Sequence, residues 1–259
     1  MYPILHLEIE ELILDLLAED DEDLSALKTC SLVCHTFLPI CRKHIFGNIV
    51  LNNYRENSTT YSSSTRAFER LLHETPKIAD YIRKLDYNIR FMDPTSSSIQ
   101  ESLKRISRLE FLTVCQRDGS RLDWSSNPMR PALLHLLHLP TLTHFKMTRV
   151  GNFVVSDLIP CINLKYLDIG YNMTVADENT FPASSPEHPI QPNEFIADFG
   201  SSAVILKLCT ARRPDGQSII DFESLSKITV EIEEPNDSEA SQELFRRCHV
   251  LTFVHIYCK

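Results

Sequence analysis

Apolar residues recur at intervals of three and four near the start of the chain. Ile9, Leu12, Ile13, Leu16 and Leu17 form the set, and Glu8, Glu10, Glu11, Asp15 and Glu19 take the places between them. That spacing predicts an amphipathic helix with an acidic solvent face, its early acids favourable to the helix dipole. AEDDED breaks the pattern, with Asp23 a fitting N-cap for a second helix. Beyond it Leu24, Leu27, Cys30, Val33, Cys34 and Phe37 line one side. Pro39 allows a bend or restart, and Ile40 and Ile45 carry the apolar set on to Phe46. The prediction is a helical hairpin or trio over roughly residues 3–47. So short a unit buries too little surface to stand alone, so it leans on the rest of the chain, a partner or both.

After residue 46 the pattern changes. An apolar triplet spaced L-x-x-L-x-L occurs as Phe46/Ile49/Leu51, Ile82/Leu85/Tyr87, Leu109/Leu112/Val114 and Leu142/Phe145/Met147. It occurs again as Leu164/Leu167/Ile169, Ala203/Leu206/Leu208, Leu225/Ile228/Val230 and Leu251/Val254/Ile256. The middle positions lie 36, 27, 33, 22, 39, 22 and 26 residues apart, near the 20–29 of leucine-rich repeats. LKYLDIGYN (164–172) fits the full repeat pattern, with Asn172 in the ladder place. In L-x-L both apolar side chains share one strand face, and the x positions point to the other, where a ligand would bind. TRAFERLLHE (65–74), SIQESLKRIS (98–107) and MRPALLHLLH (129–138) read as helices between strands. Residues 52–65, 93–98, 172–194 and 233–241 are polar or proline-rich and read as loops. The chain stops three residues past the last triplet, which reads as a truncated array. Leu251 and Val254 would then be exposed and favour self-association.

Composition narrows the function. The six glycines are scattered, and no GxGxxG, GxxxxGK[ST] or GxSxG occurs, which removes the phosphate-cradling folds and elbow hydrolases. The net charge is −9. Nine acids and no base fall in residues 1–23, leaving 26 acids facing 26 bases in the remainder. A neutral body lacks the basic stripe that phosphate contacts need, so nucleic acid is not expected as a partner. No apolar run of 18 residues and no export signal is visible, so no membrane span is expected, and a cytoplasmic or nuclear protein with reduced thiols is.

Residues 4–46, ILHLEIEELILDLLAEDDEDLSALKTCSLVCHTFLPICRKHIF, resemble an F-box of the form common in fungal F-box proteins. Leu5, Glu8, Ile9, Ile13, Leu14 and Leu17 match the first half of the family's pattern. Asp23, Leu24, Leu27, Cys30, Ser31, Leu32, Val33, Cys34 and Phe37 match the second. LLHLPTLTHFKM (136–147) is similar to the repeats that follow the box in such proteins. The resemblance implies the substrate-recognition subunit of an SCF-type cullin-RING ubiquitin ligase. The box would dock a Skp-type adaptor through Leu5, Glu8, Ile9, Ile13, Leu14, Leu17, Leu24, Leu27, Leu32, Val33 and Phe37. The repeats would hold a protein substrate, through residues the sequence does not identify. No catalytic residue, metal or cofactor is implied. His6 stands where the family has a proline, so the alternative is an interaction scaffold, built on the same repeats, whose decayed box is no part of a ligase.

Other clusters invite simpler readings. Cys30, Cys34, Cys41, His35 and His44 lie close together in sequence, but Cys30 and Cys34 share the apolar face, so core packing is favoured over zinc. His135, His138, His144, His249 and His255 have no nucleophile signature around them. Arg212/Arg213 and Arg246/Arg247 read as solvated pairs, with a phosphate-binding role open if they converge on the repeat face. The expected fold is thus an α+β or α/β solenoid. Its helical F-box (3–47) precedes a short, irregular leucine-rich-repeat array (48–259) with loop insertions near 172–194 and 233–241.

Overall fold

The computed structural model describes residues 7–20, 24–52, 64–89, 97–116, 121–176 and 188–258. Three helices open the chain: α1 (Leu7–Asp20), α2 (Ser25–Cys30) and α3 (Phe37–Ile45). The remainder alternates strands with helices. In order come β1 (Asn48–Asn52), α4 (Ser64–Glu74), β2 (Lys84–Ile89), α5 (Ser97–Lys104), β3 (Phe111–Gln116), β4 (Leu122–Asp123), α6 (Arg130–Leu137), β5 (His144–Thr148) and β6 (Val150–Gly151). Then follow β7 (Tyr166–Ile169), β8 (Glu194–Ala197), α7 (Ser202–Thr210), β9 (Lys227–Ile232), α8 (Pro235–Phe245) and β10 (Phe253–Cys258).

Eight strands form one parallel sheet in the order β1-β2-β3-β5-β7-β8-β9-β10, and β4 and β6 form a small parallel pair. Two rows of side chains cross the sheet. Ile49, Leu85, Leu112, Phe145, Leu167, Phe195, Ile228 and Val254 stand in register in the first. Leu51, Tyr87, Val114, Met147, Ile169, Ala197, Val230 and Ile256 stand in the second. Except at the edges these positions are buried in one continuous core. That core also takes in Phe68, Leu72, Leu103, Leu133, Leu136, Val204, Leu208, Ala240 and Leu244 from the helices. Burial of this apolar area is the main stabilising term, at ~25 cal/mol per Å². Helix α4 packs on α5, α5 on α6, and α7 on α8. Gly170 leaves no room for a side chain: a Cβ there would meet Thr148 Cγ2 at 2.1 Å.

The architecture is therefore α/β, a mostly parallel eight-strand sheet with helices against it. This corrects the expected helical box followed by a short irregular leucine-rich-repeat array. The uneven spacing in the sequence suggests breaks, yet the ladder has none. The carbonyls of Gly47, Arg83, Glu110, Thr143, Lys165, Asn193 and Ser226 each accept two successive N–H groups entering the next strand, at 2.7–3.1 Å. Chain of variable length between strands absorbs the unevenness, and the hydrogen-bonded register is kept.

Local expectations change too. Ala203, Leu206 and Leu208 belong to α7, where Val204, Ile205, Leu208 and Cys209 are buried at helical spacing and Leu206 faces out. The strand of that unit is β8, with Phe195 and Ala197 inward and Pro192 three residues before Phe195. Part of the expected loop at 172–194 is integral to the body. Ile190 is buried, its N–H donates to Ile219 O, and its carbonyl accepts from Asp221 N–H. Residues 177–187 lie outside the described residues, as does most of the loop expected over 52–65. The other expected insertion, 233–241, falls largely in α8. Glu234 caps it, Pro235 takes the first turn, and the Asp237 carboxylate accepts the N–H groups of Glu233 and Glu234 at 3.3 and 3.2 Å. The polar run read as loop is a capping box.

Candidate protein-docking surfaces

The helices α1–α3 enclose a small core of their own. Leu14, Leu27, Ile40 and Cys41 are buried in it, with Leu17, Ala18, Leu24, Cys30, Phe37 and Ile45 packed around them. A hydrogen bond and an ion pair tie α1 to α3: His44 Nε2 lies 2.6 Å from Asp15 Oδ1, and Lys43 Nζ lies 3.8 Å from the same oxygen.

On α1 the inner positions are Leu14, Leu17 and Ala18, spaced for one helix face. Ile9, Leu12, Ile13 and Leu16 recur at the same spacing on another face and are 47% to 58% exposed. Leu32 and Val33, in the turn after α2, are 86% and 68% exposed. Exposed Glu8 and Glu19 run along the border of the α1 stripe. Of the sequence-predicted docking residues, the structure thus leaves Glu8, Ile9, Ile13, Leu32 and Val33 open to a partner. Leu17, Leu24 and Phe37 are half-buried against the small core. Leu14 and Leu27 are buried in that core. Leu5 and His6 lie outside the described residues. Leu12 and Leu16 belong to the exposed stripe, and their three- and four-residue spacing was the signal for them.

Cys30 packs against the small core in which Cys41 is buried. Cys34 Sγ lies 2.9 Å from Thr36 Oγ1, and that hydrogen bond holds its thiol below the ordinary value. Cys41 is buried, and burial pushes its thiol up. Among the described residues no group of three His, Cys, Asp or Glu is placed to hold a metal ion.

The sheet face opposite the core forms the second surface. Asn48, Lys84, Phe111, His144, Tyr166, Glu194, Lys227 and Phe253 cross it in one row. Phe111 stacks on His144 with centroids 4.0 Å apart, and His144 on Tyr166 at 5.4 Å. Burial holds the His144 imidazole below its ordinary pKa. In the next row Lys146 Nζ pairs with Asp168 Oδ2 at 2.6 Å, and the Tyr166 hydroxyl donates to the same oxygen at 3.3 Å. Burial, then the charge of Asp168, pushes the Tyr166 phenol up to about 12. Lys84 pairs with Asp86 at 3.7 Å and Lys227 with Glu194 at 3.8 Å. None of these is visible as a motif; Asp86, Lys146 and Asp168 hold the x place of L-x-L, Lys84, Phe111, His144 and Tyr166 stand just before its first apolar residue, and Glu194 falls in a stretch read as loop.

The remaining candidates are structural. Asp157 holds a buried knot: Trp124 Nε1–H donates to it at 2.7 Å, Arg130 forks onto it at 2.9–3.2 Å, and its backbone carbonyl lies 2.8 Å from His138 Nε2. His135 Nε2 lies 3.3 Å from Ile106 O. Arg213, read from the sequence as solvated, is buried and lies 2.5 Å from Asp215. Arg246 and Arg247 both bond Glu243 on α8. Among the described residues no helix is long and apolar enough to cross a membrane. No protein-family model matches the chain, and a search of curated proteins finds no match.

Proposed function

We propose that this chain is the substrate-recognition subunit of an SCF-type cullin-RING ubiquitin ligase, working in the cytoplasm or nucleus. Its first three helices would dock a Skp-type adaptor, and the sheet would carry a protein substrate. The observation that carries this reading is the exposed apolar stripe of Ile9, Leu12, Ile13 and Leu16 on a helical unit that already has its own core. Apolar side chains gathered on one exposed face gain free energy only when a partner covers them. The stripe lies within the residues that resemble an F-box. In this reading the chain supplies no catalytic group. It raises the effective concentration of substrate lysines beside a ubiquitin-charged enzyme.

His6, in place of a proline, favours one other reading: an interaction scaffold that does not engage the adaptor. A pull-down of the full chain with a purified Skp adaptor separates the two. Retention that is lost in a Leu5→Ala/Ile13→Asp variant supports the ligase subunit. No retention of a folded chain supports the scaffold.

A further inference from the structure

Strand β10 has the side-chain pattern of a core strand but lies open. Val254 and Ile256 stand level with Ile228 and Val230 of β9, which are buried. Val254 and Ile256 are themselves about half exposed, and so are Phe253 and Tyr257 on the other face. Among the described residues β10 pairs with β9 alone.

Its backbone is open as well. The Phe253 N–H donates to Ser226 O. Backbone groups alternate in direction along a strand, so residues 253, 255 and 257 turn theirs to β9, and Val254 and Ile256 turn theirs to the open edge. Edge strands are commonly guarded by charge, proline or a bulge. Residues 249–258, HVLTFVHIYC, contain no Asp, Glu, Lys, Arg or Pro. The register of β10 with β9 is unbroken from Phe253 to Cys258.

The order of residues along this edge selects its occupant. Phe253–Val254–His255–Ile256–Tyr257 has the same chemical classes in either direction: aromatic, β-branched, imidazole, β-branched, aromatic. A two-fold axis brings the same strand of two copies together antiparallel. With the axis at His255, Phe253 meets Tyr257 of the second copy on the outer face. Val254 meets Ile256 of the second copy on the core face. Aromatic and β-branched pairs of this kind stabilise a sheet, and no like charges are set opposite one another. Val254 and Ile256 are also the residues with outward backbone groups, so each such pair can exchange both of its N–H···O bonds.

We propose that this chain forms a two-fold dimer through β10, antiparallel and centred on His255, which joins the two sheets into one. The half-exposed side chains of one strand offer on the order of 400 Å² per copy, against about 800 Å² per partner in a standard interface, so the dimer is reversible, with a Kd on the order of 100 µM. Helices α1–α3 lead into β1 at the other edge of the sheet, so the pairing leaves the α1 stripe of each copy open. The dimer requires nothing of adaptor docking, and a chain that fails to bind the adaptor still tests it.

The test is sedimentation velocity of the full chain, with a crosslink to read the register. A monomer–dimer equilibrium without larger species is expected. His255→Glu sets like charges against each other on the axis and should weaken the dimer about tenfold. Thr229→Glu, level with His255 but one strand inward, should leave it within about twofold. For the register, His255→Cys is combined with Cys258→Ser. Facing Cα atoms at a non-hydrogen-bonded pair lie about 4.5 Å apart, within disulfide reach. Oxidised glutathione should therefore link two copies at position 255, read by mass spectrometry as one peptide joined to itself. In the parent dimer the two Cys258 thiols lie about 20 Å apart along the strand direction and should stay unlinked. The proposal is overturned by a chain that stays monomeric at all concentrations or by growth past the dimer, the mark of an open head-to-tail contact. It is equally overturned by His255→Glu weakening the dimer no more than Thr229→Glu, by no link at position 255, or by a Cys258–Cys258 link in the parent.

Discussion

Asp157→Ala is the sharpest test of how the body holds together. Asp157 accepts the indole N–H of Trp124, which is completely buried, and both arms of the Arg130 fork. The side chains of Asp157 and Arg130 are 10% and 23% exposed. Truncation leaves the indole N–H without an acceptor, at about 1–3 kcal/mol. It also strands the guanidinium. A fully buried pair broken on one side costs about 3–5 kcal/mol, and the partial exposure of Arg130 puts this one nearer 2. The His138 contact uses the backbone carbonyl and survives. The expected loss is about 4 kcal/mol in all. Asp157→Asn keeps an acceptor for the indole and loses the charge, so about half of that is expected. Urea unfolding is the assay, and the single tryptophan of the chain is the residue in question. With a slope of ~2 kcal/mol per M, the Ala variant should unfold near 2 M less urea. Far-UV circular dichroism should give a coincident transition. If both variants unfold within about 0.5 kcal/mol of the parent, the knot does not hold the body together.

Thiol labelling at pH 8 should modify Cys34 ahead of Cys248 and Cys209, because the Thr36 bond lowers the Cys34 thiol whereas burial pushes Cys248 to about 11 and Cys209 to about 12; mass spectrometry of early time points reads the order, and Cys209 labelled first would refute it. Asp198→Asn should raise the unfolding midpoint at pH 7. The Asp198 carboxyl titrates above its unfolded value, so the native state carries an unfavourable charge at high pH and is relieved as pH falls through the folded pKa. The gain should therefore vanish in acid, and a gain that grows in acid would contradict the sign. Among the described residues strand β10 pairs with β9 alone, and Val254 and Ile256 are 46% and 45% exposed. A free apolar edge pairs readily, so sedimentation velocity should show concentration-dependent association that Val254→Lys/Ile256→Lys reduces; unchanged association would place the contact elsewhere.

The alternation of apolar residues was readable where both inward positions are large. Leu85/Tyr87, Leu112/Val114, Phe145/Met147 and Leu167/Ile169 all lie in strands of the sheet. It was misread where the inward residues are weak. Phe195 and Ala197 follow Pro192, so the stronger apolar run of α7 nearby took the strand's place. The regular parallel ladder was hidden, because backbone hydrogen bonds leave no trace in residue spacing when connections vary in length. The α1 stripe was legible as amphipathic, but which apolar face turns inward depends on where α3 packs. Leu14 went in and Ile13 stayed out for that reason. Which residues neighbour one another on the outer sheet face was out of reach, since strand register alone sets Asp168 beside Ile196 and Thr229 beside it in turn.

The most direct measurement is calorimetric titration of the full chain with a purified Skp-type adaptor, beside Ile13→Asp. Ile13 is exposed, so the substitution should leave the melting transition in place. The account predicts saturable binding with a negative heat-capacity change, the mark of buried apolar surface. It predicts a loss of about 2–4 kcal/mol in the variant, or roughly 30- to 700-fold in Kd. Binding of equal strength by parent and variant, or none by a folded parent, would contradict it.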